Sequence, residues 1–318
     1  MPEPVRWGIL STAGINRKLL AGAAQSDRLE IAAVASRSRE RSSAYAREHA
    51  IPRAYGSYEE LLADPAVEAV YIPLPNALHH PWTMAALRAG KHVLCEKPYS
   101  RRPAEVEEAF DEAERRGLVL SEAFMWRHNP QTTRLLELLP EIGELQTVRA
   151  TFSFRLTEPE NVRLSRELDG GSLMDVGCYC VSGARLLVGE EPERVYGEQV
   201  IGESGVDVRF TGVLRFPSGV VAELTSALTT QHMSLEAIGS RGSLSLSDPW
   251  HALDPVIRHD GRAIAIEPQN SYKLELENVG AAIRGEAEPL LGRADALGQA
   301  RTLDALYRAA ETGSAVQL

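Results

Sequence analysis

The 318-residue sequence predicts an α/β fold: an amino-terminal doubly wound parallel sheet, then an α+β domain with a large, mostly antiparallel open sheet. Three observations carry this. From residue 5 to about 120, short apolar runs alternate with helix-period segments, the mark of βαβ units. Past about residue 140 the pattern changes to alternating strands separated by Gly, Pro and Ser turns. The chain is also too long for one small domain, and at 44% hydrophobic residues it can bury a substantial core. The domains expected are 1–123 and 124–318, with the last helix free to pack back on the first.

Each element has its own signal. Residues 5–10 (Val-Arg-Trp-Gly-Ile-Leu) read as the first strand, and the turn Ser11-Thr12-Ala13-Gly14 leads into a helix from about Ile15 to Gln25. Residues 31–35 form a second buried strand, followed by a charged helix to about His49. Residues 69–72 form another, and Asn76 stands as the N-cap of a helix ending at Gly90. The run 92–95, flanked by Gly90 and Pro98, is a buried strand; a helix over 103–116 and a strand over 118–120 follow. In the second half, 148–156, 206–216, 220–228, 235–238 and 243–246 read as strands. One helix, near 172–187, interrupts them. Two more, near 271–284 and 294–312, close the chain, and Tyr272, Leu276, Val279 and Ile283 make an apolar stripe on the first of these.

Several function classes are excluded by bulk properties. A net charge of −10 argues against nucleic acid or an anionic membrane as partner. No apolar run approaches a membrane span, and the opening Met1-Pro2-Glu3-Pro4 lacks a secretory pattern. The three cysteines form neither a disulfide framework nor a zinc spacing, so the expectation is a cytoplasmic protein without a metal.

Two stretches of the first domain address a dinucleotide. In a G-x-G-x-x-G fingerprint after a strand, the glycine positions fall here on Ser11, Ala13 and Asn16. Small residues still allow close backbone approach, and a helix N-terminus offers N–H groups to a pyrophosphate. This marks Ser11, Thr12, Ala13 and Ile15 as cofactor contacts. The second strand ends in Ser36-Arg37-Ser38-Arg39, with Arg41 following, where an NAD-binding domain often carries an acid. Serine and arginine there favour NADP over NAD, with Ser36, Arg37 and Arg41 about the 2′-phosphate and Arg39 facing solvent.

Two further stretches carry chemistry. Glu96-Lys97-Pro98 stands at the carboxyl end of a buried strand, where open α/β sheets keep their ligands. Asp169-Gly170-Gly171 opens a helix on which Asp175 and Tyr179, four residues apart, share a face. A phenol of ordinary pKa is a poor base at neutral pH, but an ammonium about 4 Å away contributes roughly 4 kcal/mol at an effective dielectric near 20. Lys97 and Tyr179 thus make a plausible acid/base unit, with Asp175 orienting the lysine or holding a substrate hydroxyl.

Taken together, these residues resemble the glucose–fructose oxidoreductase, inositol dehydrogenase and rhizopine-catabolism (Gfo/Idh/MocA) oxidoreductases. The carriers are Trp7 to Ala13, Pro73-Leu74-Pro75-Asn76 with His79, Ala89 to Val93 leading into Glu96-Lys97-Pro98, Asn161-Val162-Arg163, and Gly170 to Tyr179. The resemblance implies a Rossmann domain and a C-terminal domain whose open sheet mediates dimers or tetramers. It also implies nicotinamide-dependent hydride transfer at a carbinol or carbonyl carbon, commonly of a sugar or polyol. By the same resemblance Lys97, Asp175 and Tyr179 are catalytic and Arg163 touches the cofactor. Pro73, Leu74, Asn76, His79, Glu96 and Lys97 line the nicotinamide side, His79 being open to a structural role, and the Lys97–Pro98 bond is a candidate cis peptide. Tyrosine at 179 resembles the branch of dimeric dihydrodiol dehydrogenases and NADP-dependent D-xylose 1-dehydrogenases. A nucleotide-sugar ketoreductase, an imine reductase and a non-catalytic NADP-binding sensor remain alternatives. Specificity is expected from side chains such as Phe154 and Phe210 and from the 155–168 loop.

Overall fold

Five apolar runs and the short segment Arg53–Tyr55 form one parallel sheet in the computed structural model, which describes residues 3–318. The strands are β1 (Val5–Leu10), β2 (Leu29–Ala35), β3 (Arg53–Tyr55), β4 (Ala69–Ile72), β5 (His92–Glu96) and β6 (Leu120–Ala123). Their order is β3-β2-β1-β4-β5-β6, that of a dinucleotide-binding doubly wound sheet. The order reverses between β1 and β4, which opens a crevice at the carboxyl ends of these two strands. Helices α1 (Asn16–Ala23), α2 (Arg39–Glu48), α3 (Tyr58–Leu62), α4 (His79–Arg88) and α5 (Pro103–Arg116) make the crossovers. Ser38 and Ser57 start α2 and α3 by accepting the N–H groups of Arg41 and Glu60.

Contacts divide the chain into two units. The first runs to Ser100, resumes over Ala104–Met125, and takes in Asn270–Ala296. The leading stretch of this unit ends at Met125, and the helix Ser271–Ile283 joins it from late in the chain. Its Leu276 and Val279 are fully buried among Val5, Trp7, Tyr71 and Leu94. Burying such an apolar stripe outweighs its position late in the chain.

The second unit comprises Arg101–Pro103, Trp126–Gln269 and Leu297–Leu318. It contains α6 (Pro130–Leu138), β7 (Leu145–Ser153), α7 (Cys178–Val188), β8 (Arg194–Ile201), β9 (Asp207–Arg215), β10 (Val221–Ala227), β11 (His232–Gly239), β12 (Ser243–Leu246), β13 (Val256–His259) and β14 (Arg262–Ala265). The helix Ser271–Ile283 is then α8, and α9 (Arg293–Thr312) and β15 (Val316–Gln317) end the chain. The nine strands are ordered β14-β13-β12-β11-β7-β10-β9-β8-β15, antiparallel except for the pair β7 and β10. Along β9, Phe210, Gly212 and Leu214 are buried while Arg209, Thr211, Val213 and Arg215 are exposed. This alternation is that of a sheet covered on one face. Helix α7 packs on β7, β10 and β11.

The sequence reading left out β3, α3, α6, β8 and β13 to β15, and set β6 two residues early. These are mostly short, or, like β8 with Arg194, Glu198 and Gly197, too polar to read as strands. No helix among the described residues is long and apolar enough to cross a membrane. Cys95, Cys178 and Cys180 are buried free thiols.

Candidate active site

Side-chain hydrogen bonds hold the turn after β1. The Ser11 hydroxyl accepts the Ala13 N–H at 3.2 Å and donates to the Pro73 carbonyl at 3.3 Å. The buried Asn16 donates its amide to the Ser11 carbonyl at 2.9 Å. The fingerprint positions that lack glycine are thus the ones that lock the turn. The N–H groups of Thr12, Gly14 and Ile15 donate to no protein acceptor among the described residues. A side chain added at Gly14 would meet nothing within 4 Å. An open turn with unpaired N–H groups at the start of a helix suits a pyrophosphate.

At the end of β2, Ser36 is buried and its N–H donates to the Tyr55 carbonyl at 3.2 Å. Arg39 is used up structurally, on the Ala54 carbonyl at 3.0 Å and the Glu60 carboxylate at 2.5 Å. Arg37 and Arg41 are exposed and form no ion pair among the described residues. Both act on the same phenol: burial raises the pKa of Tyr58, and these two guanidinium groups pull it down. The pair is a local concentration of positive charge that no ion pair neutralises among the described residues.

Pro73, Leu74 and Asn76 follow β4, but Asn76 opens a short 3₁₀ turn and α4 begins without a side-chain cap. The His79 ring is enclosed, its Nε2 2.7 Å from the Leu74 carbonyl and its Nδ1 2.9 Å from the Pro98 carbonyl. Burial pushes its pKa down while these two carbonyls push it back up. The enclosed ring lies between the turn after β4 and the turn after β5, in keeping with the structural role left open for it in the sequence.

The Glu96 carboxylate is fixed at the end of β5 by the Tyr71 hydroxyl at 2.5 Å on Oε1 and the Lys97 N–H at 3.2 Å on Oε2. The Lys97–Pro98 peptide is cis, and Lys97 is partly exposed. Lys97 belongs to the first unit, whereas Arg163, Asp175 and Tyr179 belong to the second.

In the second unit the segment before α7 winds as a π-turn over Leu173–Gly177, in which the Cys178 N–H donates five residues back to the Leu173 carbonyl. Asp175 lies within that turn and Tyr179 in the first turn of the α-helix that follows it. Asp175 accepts the Arg163 Nε at 2.6 Å. Arg163 also lies over the Phe154 ring at 5.7 Å and donates to the Asn161 side-chain Oδ1 at 3.4 Å. Arg163, expected to touch the cofactor, thus has side-chain partners in its own unit, and it stays partly exposed. The paired glycines serve the protein's own backbone: side chains there would collide with the Arg163 carbonyl at Gly170 and with the Asp207 carboxylate at Gly171. Asp207 in turn accepts the Ser172 hydroxyl at 2.7 Å, the Leu173 N–H at 2.8 Å and the Tyr307 hydroxyl at 2.9 Å.

The ring of Tyr179 sits among aromatics. Phe152 meets it edge-on at 5.2 Å, Trp250 lies tilted to it at 5.8 Å, and Trp250 contacts Trp126 at 5.1 Å. The His251 ring stands perpendicular to Phe152 at 5.6 Å.

Two family models match the chain: "Oxidoreductase family, NAD-binding Rossmann fold" over residues 5–124, and "GFO/IDH/MocA C-terminal domain" over residues 140–245. An NADP-dependent D-xylose 1-dehydrogenase of Haloferax volcanii is 43% identical, covering 98% of this chain and 99% of its own. The chain belongs to the Gfo/Idh/MocA oxidoreductase family. Also similar is the bovine trans-1,2-dihydrobenzene-1,2-diol dehydrogenase, 34% identical over 86% of this chain and 84% of that one. Among solved structures, a 3-ketoreductase from Actinomadura kijaniata with NADP and TDP-benzene has a TM-score of 0.91 at 30% identity, covering 96% of this chain and 98% of that one.

For this Gfo/Idh/MocA member, the sequence reading missed the aromatic surround of Tyr179. Phe152, Trp250 and His251 stand singly in a strand and a loop, and no periodicity links them. Asp248, which accepts the His251 N–H at 3.1 Å and the Leu253 N–H at 3.0 Å, is the one local signal that the 248–253 loop is built. Phe210, expected to shape specificity, is a core residue packed on Tyr307 at 5.9 Å. Tyr71 was likewise hidden in an apolar run, and nothing local marked Glu275.

Proposed function

We propose that this oxidoreductase transfers a hydride between NADP and a carbinol or carbonyl carbon of a sugar, polyol or dihydrodiol. The observation that carries the reading is end-to-end likeness, at 43% identity, to an NADP-dependent D-xylose 1-dehydrogenase. The unpaired Arg37 and Arg41 beside Ser36 support NADP over NAD, since a 2′-phosphate needs cations where a 2′-hydroxyl takes an acid.

When bound, NADP supplies the nicotinamide carbon that gives or accepts the hydride. In this reading the turn of Ser11, Thr12, Ala13 and Ile15 cradles the pyrophosphate, and Arg37 and Arg41 hold the 2′-phosphate. Pro73, Leu74, Asn76 and Glu96 shape the nicotinamide side. Tyr179 exchanges the substrate hydroxyl proton, Lys97 supports the phenolate form by its charge, and Asp175, steadied by Arg163, receives a neighbouring substrate hydroxyl. The 3-ketoreductase of Actinomadura kijaniata has also been solved with one lysine changed to alanine or glutamate, and with one tyrosine changed to phenylalanine. Those two positions lie about as far apart in its chain as Lys97 and Tyr179 do here.

A nucleotide-sugar ketoreductase is the second reading, favoured by the likeness to that TDP-benzene complex. We also assign the enzyme to the cytoplasm, in keeping with three free thiols, and infer that copies associate through the outer face of the nine-stranded sheet. There Tyr196, Val200 and Val213 are exposed apolar residues.

The test is NADPH fluorescence titration, then an absorbance screen of aldoses, inositols, dihydrodiols and nucleotide-linked ketosugars. Turnover of a free sugar or diol supports the first reading, and turnover of only the nucleotide-linked sugars selects the second. Lys97→Met should abolish turnover and still bind NADPH. Unchanged kcat in that variant refutes the assignment.

A further inference from the structure

One buried acid in the first unit has no place in the scheme above. Glu275 lies on α8, inside the apolar stripe that packs on the first sheet, and is only 1% exposed. Its Oε1 is sealed from solvent and has no hydrogen-bond partner. A carboxyl so placed is costly, and costlier still as an anion. Its surroundings explain how it is kept. From β5, Glu96 acts on it electrostatically; α8 also packs against α1 and β2 and, through its apolar stripe, against Val5 and Trp7 of β1 and Tyr71 of β4. From β4, the Tyr71 hydroxyl lies within the field of both carboxyls and of Tyr272, and donates to Glu96 at 2.5 Å.

We infer that Glu275 and Glu96 form a coupled carboxyl pair that holds its proton on Glu275 and its negative charge on Glu96, making Glu275 a positioning residue for the Glu96–Lys97 turn. Glu96 is the natural seat of the charge, because it already accepts a hydroxyl and a backbone N–H, and Glu275 accepts neither. Burial first, and then the charge of Glu96, push the Glu275 carboxyl well above the ordinary carboxylate range. Ionising Glu275 places a second negative charge against the first, which weakens the hold of Glu96 on Tyr71 and on the Lys97 backbone. The pair makes the turn sensitive to alkaline pH from a site that never touches the substrate. The functional part of this inference rests on the reading of Lys97 as a reaction-centre residue; the protonation part does not.

The sign of the stability effect follows from linkage. A carboxyl whose folded pKa is raised binds more protons folded than unfolded, so stability falls as pH rises from about 4.5 toward the folded pKa. Glu275→Gln is a neutral isostere and removes this penalty. Unfolding of wild type, Glu275→Gln and Glu275→Leu in urea between pH 5 and pH 9 tests the pair without using activity. Glu275→Gln should gain stability relative to wild type as pH rises, and Glu275→Leu should show the same pH-independence whatever its absolute stability. In the pH profile of kcat/KM, the alkaline loss should move upward by at least about one unit in Glu275→Gln. A constant stability difference across the pH range overturns the protonation assignment. A changed stability profile with an unchanged kcat/KM profile overturns the positioning role. Full activity of Lys97→Met alongside a changed Glu275→Gln stability profile removes the catalytic reading and leaves the carboxyl pair standing.

Discussion

Gly177→Ala puts the π-turn before α7 to a quantitative test. The added Cβ would lie 2.8 Å from Leu173 Cδ1 and 2.9 Å from Ser226 Oγ. Neither neighbour can swing into solvent, since both are at most 2% exposed and the Ser226 hydroxyl is engaged with that of Ser172 at 3.1 Å. Carbon contacts relax at about 3.5–4.0 Å, so the helix start must back away from β10 by something near 1 Å. Overpacking of this kind costs about 1–3 kcal/mol, and the better helix propensity of alanine returns about 1 kcal/mol. The net loss of stability is therefore small, of order 0–2 kcal/mol, or a few degrees in Tm for a chain of this size. The effect on rate is much larger. Asp175 and Tyr179 flank the substituted position by two residues on each side, and a displacement near 1 Å costs about 10²-fold in kcat when reacting groups are misplaced. Steady-state kinetics with the best substrate from the screen, beside urea unfolding, separates the two effects. A Gly177→Ala variant with wild-type kcat would refute the argument that this close approach aligns the two side chains.

Other outcomes follow from particular contacts. Arg37→Ala should raise KM for NADP and leave that for NAD nearly unchanged, and Arg41→Ala should do the same more weakly; cofactor titration checks both. Tyr179→Phe should lower kcat by about 10²–10⁴-fold with NADPH binding retained, as expected for loss of a general acid/base. Lys91 is buried and donates to the Asp64 and Val67 carbonyls at 2.7 and 2.8 Å, so Lys91→Met should cost about 2–5 kcal/mol in urea unfolding without changing kcat. Burial opposes the Glu68 carboxylate, but Arg284 at 2.8 Å and the Arg6 N–H at 3.1 Å hold its pKa below the ordinary value. The stability it supplies is present above about pH 4.5 and is lost as pH falls through the lower folded pKa; Glu68→Gln should flatten that acid limb.

Much of the first unit was legible because local pattern decides it. The strand 69–72 and the helix 103–116 are bounded as read, and the lysine after β5 stands at the carboxyl edge of a parallel sheet, as the alternation of elements implied. The serine and arginine after β2 were legible for the same reason: their place follows from where one strand ends. The likeness of the chain to its family was carried by short motifs of this kind.

The rest depended on neighbours far apart in sequence. Spacing alone could not show that Asp175 pairs with Arg163, twelve residues earlier in a separate turn. The enclosure of the His79 ring could not be foreseen, since it depends on two carbonyls, five and nineteen residues away. Nothing local marks Glu275; its burial comes only from the packing of α8 on the first sheet. Periodicity in a sequence reports which face of an element is buried. What lies across that face, and so the charge and hydrogen bonding of each site group, is set by the tertiary fold.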